Sequence, residues 1–375
     1  MRHQRGRVVD VETTGELVRR VAAGTTSLSG WRLRGLDLTA QSATLARCHA
    51  GEALFLGCRF APGDEARVRE QGALVFPDLP DSPVDEYRTG LYTARELFDA
   101  PVYRDTLDGR AYAWSKGRRN RDSALAKALH DHAVDAALAT WVEGRDLVGV
   151  MGGHALQRGS VEYAAAARLG HALGASRTVA TGGGPGAMEA ANLGACLSAL
   201  PAEALTDALG RLAAVPSFVP SVDAWVSSAF EVVDALPEPT ESLGVPTWHY
   251  GHEPPNVFAG AIAKYFGNPL REAVLLQVCN RGIVFLTGAA GTVQEVFQDA
   301  CENYYAEESA LAPMVLVGRT YWTETLPAWP LLRSLARGRP MEAHVHLVDT
   351  LEEAALVVSG GPPPAARSSA PGRTP

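Results

Sequence analysis

The residues best suited to chemistry stand in two glycine loops, Thr181-Gly-Gly-Gly-Pro-Gly-Ala-Met-Glu189 and Thr287-Gly-Ala-Ala-Gly-Thr-Val-Gln-Glu295, each between an apolar run and a helical run. A backbone with no Cβ in the way, turning into a helix N-terminus, offers several amide N–H groups and a positive dipole end to an anion. Together the loops read as a phosphate cradle. A carboxylate one turn inside such a loop would stand near the sugar of a bound nucleotide, which makes Glu295 a candidate for catalysis. The spacing Thr292-Val-Gln-Glu295 is equally that of a capping box. The same spacing recurs at Thr13 and Glu16, Thr93 and Glu96, and Thr350 and Glu353, each read as a helix start.

The elements that must position these loops follow from apolar periodicity. Helices are expected over 124–142, 161–173, 187–200 and 293–305, and strands over 147–151, 177–180, 283–286, 314–317 and 344–348. Strands alternating with helices predict an α/β protein with a doubly wound, Rossmann-like parallel sheet. Ligands of such sheets bind beyond the carboxyl ends of the strands. Three strand ends lead into glycine here, at Gly152-Gly153-His154, at 182–186 and at 288–291, so all three loops are expected to face one crevice. Residues 1–112, with short apolar runs between Pro and Gly turns, read as a small β-rich module ahead of a nucleotide-binding domain over 113–358. A five-residue recurrence of Leu28, Leu33, Leu38, Ala43, Cys48, Ala53 and Cys58 would fit a short β-solenoid, although chance is the simpler account. The Gly-, Pro- and Ser-rich 359–375 reads as a disordered tail.

The two loops resemble the signatures of the Lonely Guy proteins, which are nucleoside 5′-monophosphate phosphoribohydrolases, and of the wider nucleotide 5′-monophosphate nucleosidases. Gly182-Gly-Gly-Pro-Gly-Ala-Met188 is similar to the family's GGGxxGxM loop, and 287–295 to its PGGxGTxxE segment. Upstream, Met151-Gly-Gly-His154, Tyr163 and Leu169-Gly170 resemble its first strand, loop and helix. The likeness covers roughly 146–306, less an insertion at 201–255, and the family's Pro-Gly-Gly reads Thr287-Gly288-Ala289 here.

The resemblance implies hydrolysis of an N-ribosidic bond. Arg271, in Asn268-Pro-Leu-Arg-Glu272, takes the place of the family's active-site arginine, with Glu295 as its carboxylate partner. A carboxylate and a fixed cation oppose the charges that grow on the sugar and on the departing base. The phosphate would rest on the amides of Gly288, Ala289, Ala290, Gly291 and Thr292. Gly152, Gly153, His154, Gly182, Gly183, Gly184, Gly186 and Met188 would line the ribose or base. No metal or redox cofactor is required, and the resemblance implies a homodimer.

Other features bound this reading. With 46% apolar residues, 20% charged residues and a net charge of −8, the chain is expected to have an ordinary core and no broad nucleic-acid surface. Its five scattered cysteines include no Cys-x-x-Cys pair, and no apolar stretch reaches membrane-spanning length, so a cytoplasmic protein with reduced thiols is expected. Trp248-His-Tyr-Gly-His252 could stack on a base or simply pack as an ordered loop. Lys116, Arg118, Arg119 and Arg121 read as a solvated basic run, and His130 and His132 as surface or satisfied side chains. P-loop, zincin and serine-hydrolase motifs are absent. Two rivals to hydrolysis stand: a nucleotide sensor using the same cradle without catalysis, and an NAD-dependent oxidoreductase built on Gly182, Gly184 and Ala187. The second lacks an acidic residue ending the next strand.

Overall fold

The computed structural model of the chain describes residues 8–79, 81–117, 120–249 and 253–361. Arg118, Arg119, Tyr250, His252 and the tail expected beyond 361 lie outside the described residues. The chain divides into two compact units, one of residues 1–88 with 118–133 and one of residues 89–117 with 134–375.

The first unit runs β1 (Val9–Val11), α1 (Thr14–Ala22), β2 (Trp31–Arg34), β3 (Asp37–Leu38), α2 (Ser42–Ala46), β4 (Leu54–Leu56), β5 (Arg59–Phe60), α3 (Asp64–Glu70) and β6 (Leu74–Phe76). Strands β1, β2, β4 and β6 form a parallel sheet, and β3 and β5 a parallel pair beside it. Val11, Leu33, Phe55 and Val75 stand in one column, so the chain returns to the same place after 22, 22 and 20 residues. One strand with its return helix cannot bury its own apolar side, and stacking successive turns does so. The unit is therefore a short solenoid. Six members of the five-residue recurrence are buried in its core, but Ala43 is exposed and the structural period is the longer one.

The second unit contains α4 (Ala94–Leu97) and α5 (Leu107–Lys116), so the boundary drawn at 112 falls inside a helix of this unit. Helix α6 (Arg121–Val142) begins in residues of the first unit and ends in those of the second. The remaining elements are β7 (Leu147–Met151), α7 (Val161–Gly174), β8 (Thr178–Thr181), α8 (Ala187–Cys196), α9 (Ala202–Leu212), α10 (Val222–Asp234), β9 (Leu243–Gly244), β10 (Ala261–Ile262), α11 (Asn268–Gln277), β11 (Ile283–Phe285), α12 (Ala290–Tyr305), β12 (Met314–Val317), α13 (Ala328–Ala336), β13 (Val345–Val348) and α14 (Leu351–Val358).

Strands β7 to β13 form one parallel sheet in the order β10-β9-β8-β7-β11-β12-β13. The chain winds outward from β7 to β10, then returns to β11 on the other side of β7. This is the predicted doubly wound α/β sheet, and its direction reverses between β7 and β11. Strands β7, β11 and β12 are buried at every position, as expected of strands covered on both faces.

Three of the four predicted threonine caps are present. Thr13, Thr93 and Thr350 accept the amides of Glu16, Glu96 and Glu353, and Thr350 with Glu353 completes a full capping box. The fourth is corrected. Helix α12 starts earlier, with Ala289 at its N-cap and no side-chain cap bond, which places Thr292 inside the first turn. Glu295 is thus released from capping. No helix among the described residues is long and apolar enough to cross a membrane.

Candidate functional site

The loops leaving β7 and β8 are joined directly. The amide of Ala187 donates to Gly153 O at 2.9 Å, and Gly186 has φ +76° with its Cα turned onto the 153–154 backbone. A Cβ there would lie 2.4 Å from Gly153 O, so only glycine allows this contact. The loop 182–186 is buried throughout. Asn256 binds it from the far side, donating its amide N–H to Gly183 O (2.8 Å) and its side-chain Nδ2 to Gly184 O (3.2 Å). The third loop, after β11, is the open one: Thr287, Ala289, Ala290 and Gly291 are exposed at the start of α12, while Thr292 is buried. Gly288 O accepts from the Tyr321 hydroxyl at 2.6 Å.

Arg271, on α11, reaches across these loops. Its Nε donates to Val245 O at 2.7 Å and its Nη2 to Gly182 O at 3.4 Å. The approach to Gly182 is close, since a Cβ there would fall 2.7 Å from Nη2 and displace the end of the Arg271 side chain. The third nitrogen, Nη1, lies 2.7 Å from Glu272 Oε1 and 3.9 Å from Glu295 Oε1. The two residues proposed from sequence therefore converge, and Glu272 joins them.

The electrostatics of the cluster are set by burial. Glu295 is 9% exposed and its pKa is pushed up to about 7, first by burial; Arg271 pulls it back, and Glu272 raises it by its charge and by hydrogen bonding. Asp299, one turn further along α12, is raised to about 8 by burial and by Glu302. Thr292, Glu295, Asp299 and Asn303 form a buried polar stripe at helical spacing. Carboxyls whose proton affinity is lifted towards neutrality can hold or accept a proton under ordinary conditions. Among the described residues no group of His, Cys, Asp or Glu has metal-binding geometry.

The remaining sequence candidates divide. Gly152 and Gly153 are half-buried, His154 is exposed and Met188 is half-buried, with its sulfur lying where a Cβ on Gly182 would fall. Trp248 does not face a ligand: it is buried, stacked on Phe266 at 4.4 Å, and donates from Nε1 to Asp108 at 2.8 Å. His249 is exposed and its carbonyl accepts from Lys116 at 2.7 Å. Strand β9 leads into Val245-Pro246, with no acidic side chain at the place an NAD ribose would need one. Sequence reasoning missed Glu272 and Asp299.

A separate cavity of about 410 Å³ is lined by Arg95, Phe98, Asp99, Asp223 and Phe230 among others. Its charges are already engaged: Arg95 with Asp234, Asp99 with Arg110, and Asp223 with the amide of Tyr103.

No protein-family model matches the chain, and no curated protein matches it. Among solved structures it is similar to the molybdenum cofactor carrier protein of Chlamydomonas reinhardtii, with 17% identity, a TM-score of 0.36, and coverage of 58% of this chain and 97% of that one. The molybdenum cofactor binding protein of Rippkaea orientalis is similar at 15% identity and a TM-score of 0.34, covering 58% and 96%.

Proposed function

We propose that this protein hydrolyses the N-glycosidic bond of a nucleoside 5′-monophosphate, releasing the free base and ribose 5-phosphate. The observation that carries the reading is the approach of Arg271 Nη1 to within 3.9 Å of Glu295 Oε1, beside the point where the sheet reverses. In this scheme the C1′–N bond breaks and the base leaves with the electron pair. Water oxygen adds to C1′, and Glu295 takes the water proton that ends on the base. The carboxylate offsets the positive charge on the sugar, and the guanidinium the negative charge on the base. The loop entering α12, Gly288 to Thr292, whose residues 289–291 are exposed, receives the phosphate on its amides.

A second reading has its own support. Three of the Arg271 nitrogens already meet protein oxygens, which suits a rigid nucleotide sensor that binds without reacting. Chromatography of a panel of nucleoside 5′-monophosphates incubated with the protein decides between them. Equimolar base and ribose 5-phosphate from at least one nucleotide supports hydrolysis; tight binding with no base released supports the sensor.

A further inference from the structure

Glu272 follows Arg271 on α11 and is only 4% exposed. One carboxyl oxygen, Oε1, is held by Arg271 Nη1 at 2.7 Å and by Asn268 Nδ2 at 3.4 Å. The other, Oε2, is buried with no hydrogen-bond partner. A buried carboxylate oxygen without a donor carries the full desolvation penalty of that atom, so a donor is expected nearby. The neighbouring group able to become one is the Glu295 carboxyl, which donates once it carries a proton. The charged and titratable groups around Glu295 are Arg271 and Glu272 from α11, Cys279 just after α11, and Asp299 and Glu302 on α12 itself. Of these, Glu272 is ion-paired with Arg271 and also raises the proton affinity of Glu295, by its charge and by hydrogen bonding.

We propose that Glu272 is a positioning residue of this site: one of its oxygens holds the Arg271 guanidinium beside Glu295, the other accepts a hydrogen bond from the protonated Glu295 carboxyl, and it thereby sets the pH at which Glu295 becomes a base. Its value to catalysis rests on the hydrolytic reading above, whereas its influence on the protonation of Glu295 does not. A carboxylate beside a second carboxyl favours the protonated form of its neighbour, both by repulsion and by accepting a hydrogen bond from the protonated group.

The test is a carbon-13 NMR titration of side-chain carboxyls in the full-length protein, with the Glu295 signal assigned by its loss in Glu295→Gln. The titration is repeated in Glu272→Gln, whose fold is checked by circular dichroism. The Glu295 midpoint should move to lower pH in Glu272→Gln, and the acidic limb of the base-release profile should move with it. A structural residue would change stability but leave that midpoint in place. An unchanged or raised midpoint overturns the proposal. If the wild type releases no base from any nucleotide, hydrolysis fails while the NMR midpoint still judges Glu272. Should Glu272→Gln not fold, Glu272→Asp withdraws the carboxylate by one methylene and is expected to lower the midpoint as well; no movement there overturns the proposal equally.

Discussion

Replacing Glu295 by glutamine should make the folded protein more stable, and only above the acid range. The carboxyl is pushed from 4.5 to about 7 in the folded chain, mainly because it is buried. Between those values the folded state holds a proton that the unfolded chain has released. Stability from this residue is therefore complete below about pH 4.5, falls as pH rises, and is gone above about pH 7. At about 1.4 kcal/mol per pH unit, the rise corresponds to ~3 kcal/mol. Glutamine is close in shape to the protonated acid and never ionises, so it avoids this loss. Urea unfolding can be followed by fluorescence of Trp225, Trp248 and Trp322, all buried in the second unit. At about pH 4 the variant and wild type should unfold at nearly the same urea concentration. At about pH 8 the variant should be more stable by ~3 kcal/mol, with unchanged m-values. A stability gap of the same size at both pH values, or wild type the more stable at pH 8, would refute the reasoning.

Three further outcomes are expected. Arg158 and Glu189 form a fully buried ion pair, to which Ser228 Oγ and Trp225 O add as acceptors for Arg158; Arg158→Met strands the carboxylate and should cost about 3–5 kcal/mol in urea unfolding, and a loss below about 1 kcal/mol would contradict it. Gly186→Ala forces a side chain into a left-handed residue and onto Gly153 O; a loss of at least ~2 kcal/mol is expected from strain alone, and a variant as stable as wild type would contradict the loop contact. The resemblance implies a homodimer, so light scattering after size exclusion should give twice 39.8 kDa; a species at the single-chain mass contradicts it.

The parts of this structure legible in the sequence are those with a strong local signal. Leu147–Met151 and Met314–Val317 are continuous apolar runs, and the sheet uses them as written. Thr350 with Glu353 is a local motif with local hydrogen bonds, and it forms. The two-residue strands β9 and β10 carry no periodicity at all; they exist because β8 offers a neighbour on that side. The solenoid was raised from the five-residue recurrence but set below chance for a related reason, since the positions that stack are 20 to 22 residues apart and are filled by residues as different as Val11 and Phe55.

At the site, Arg271 and Glu295 were found through their resemblance to a known pattern, and the structure brings them together. Glu272 was overlooked because an Arg-Glu pair on a helix ordinarily reads as solvated surface. Nothing local reveals that the start of α11 is buried, with Asn268, Arg271 and Glu272 all enclosed. For Trp248 the sequence left stacking on a base and packing as an ordered loop both open, and its indole packs in the core.

The most direct test of hydrolysis is the paired measurement of turnover and binding in Glu295→Ala. On whichever nucleotide the wild type cleaves fastest, the variant should bind by calorimetry with little change and release base at least about a hundredfold more slowly, as removal of a group that stabilises developing charge does. Base release by Glu295→Ala at the wild-type rate would contradict the account.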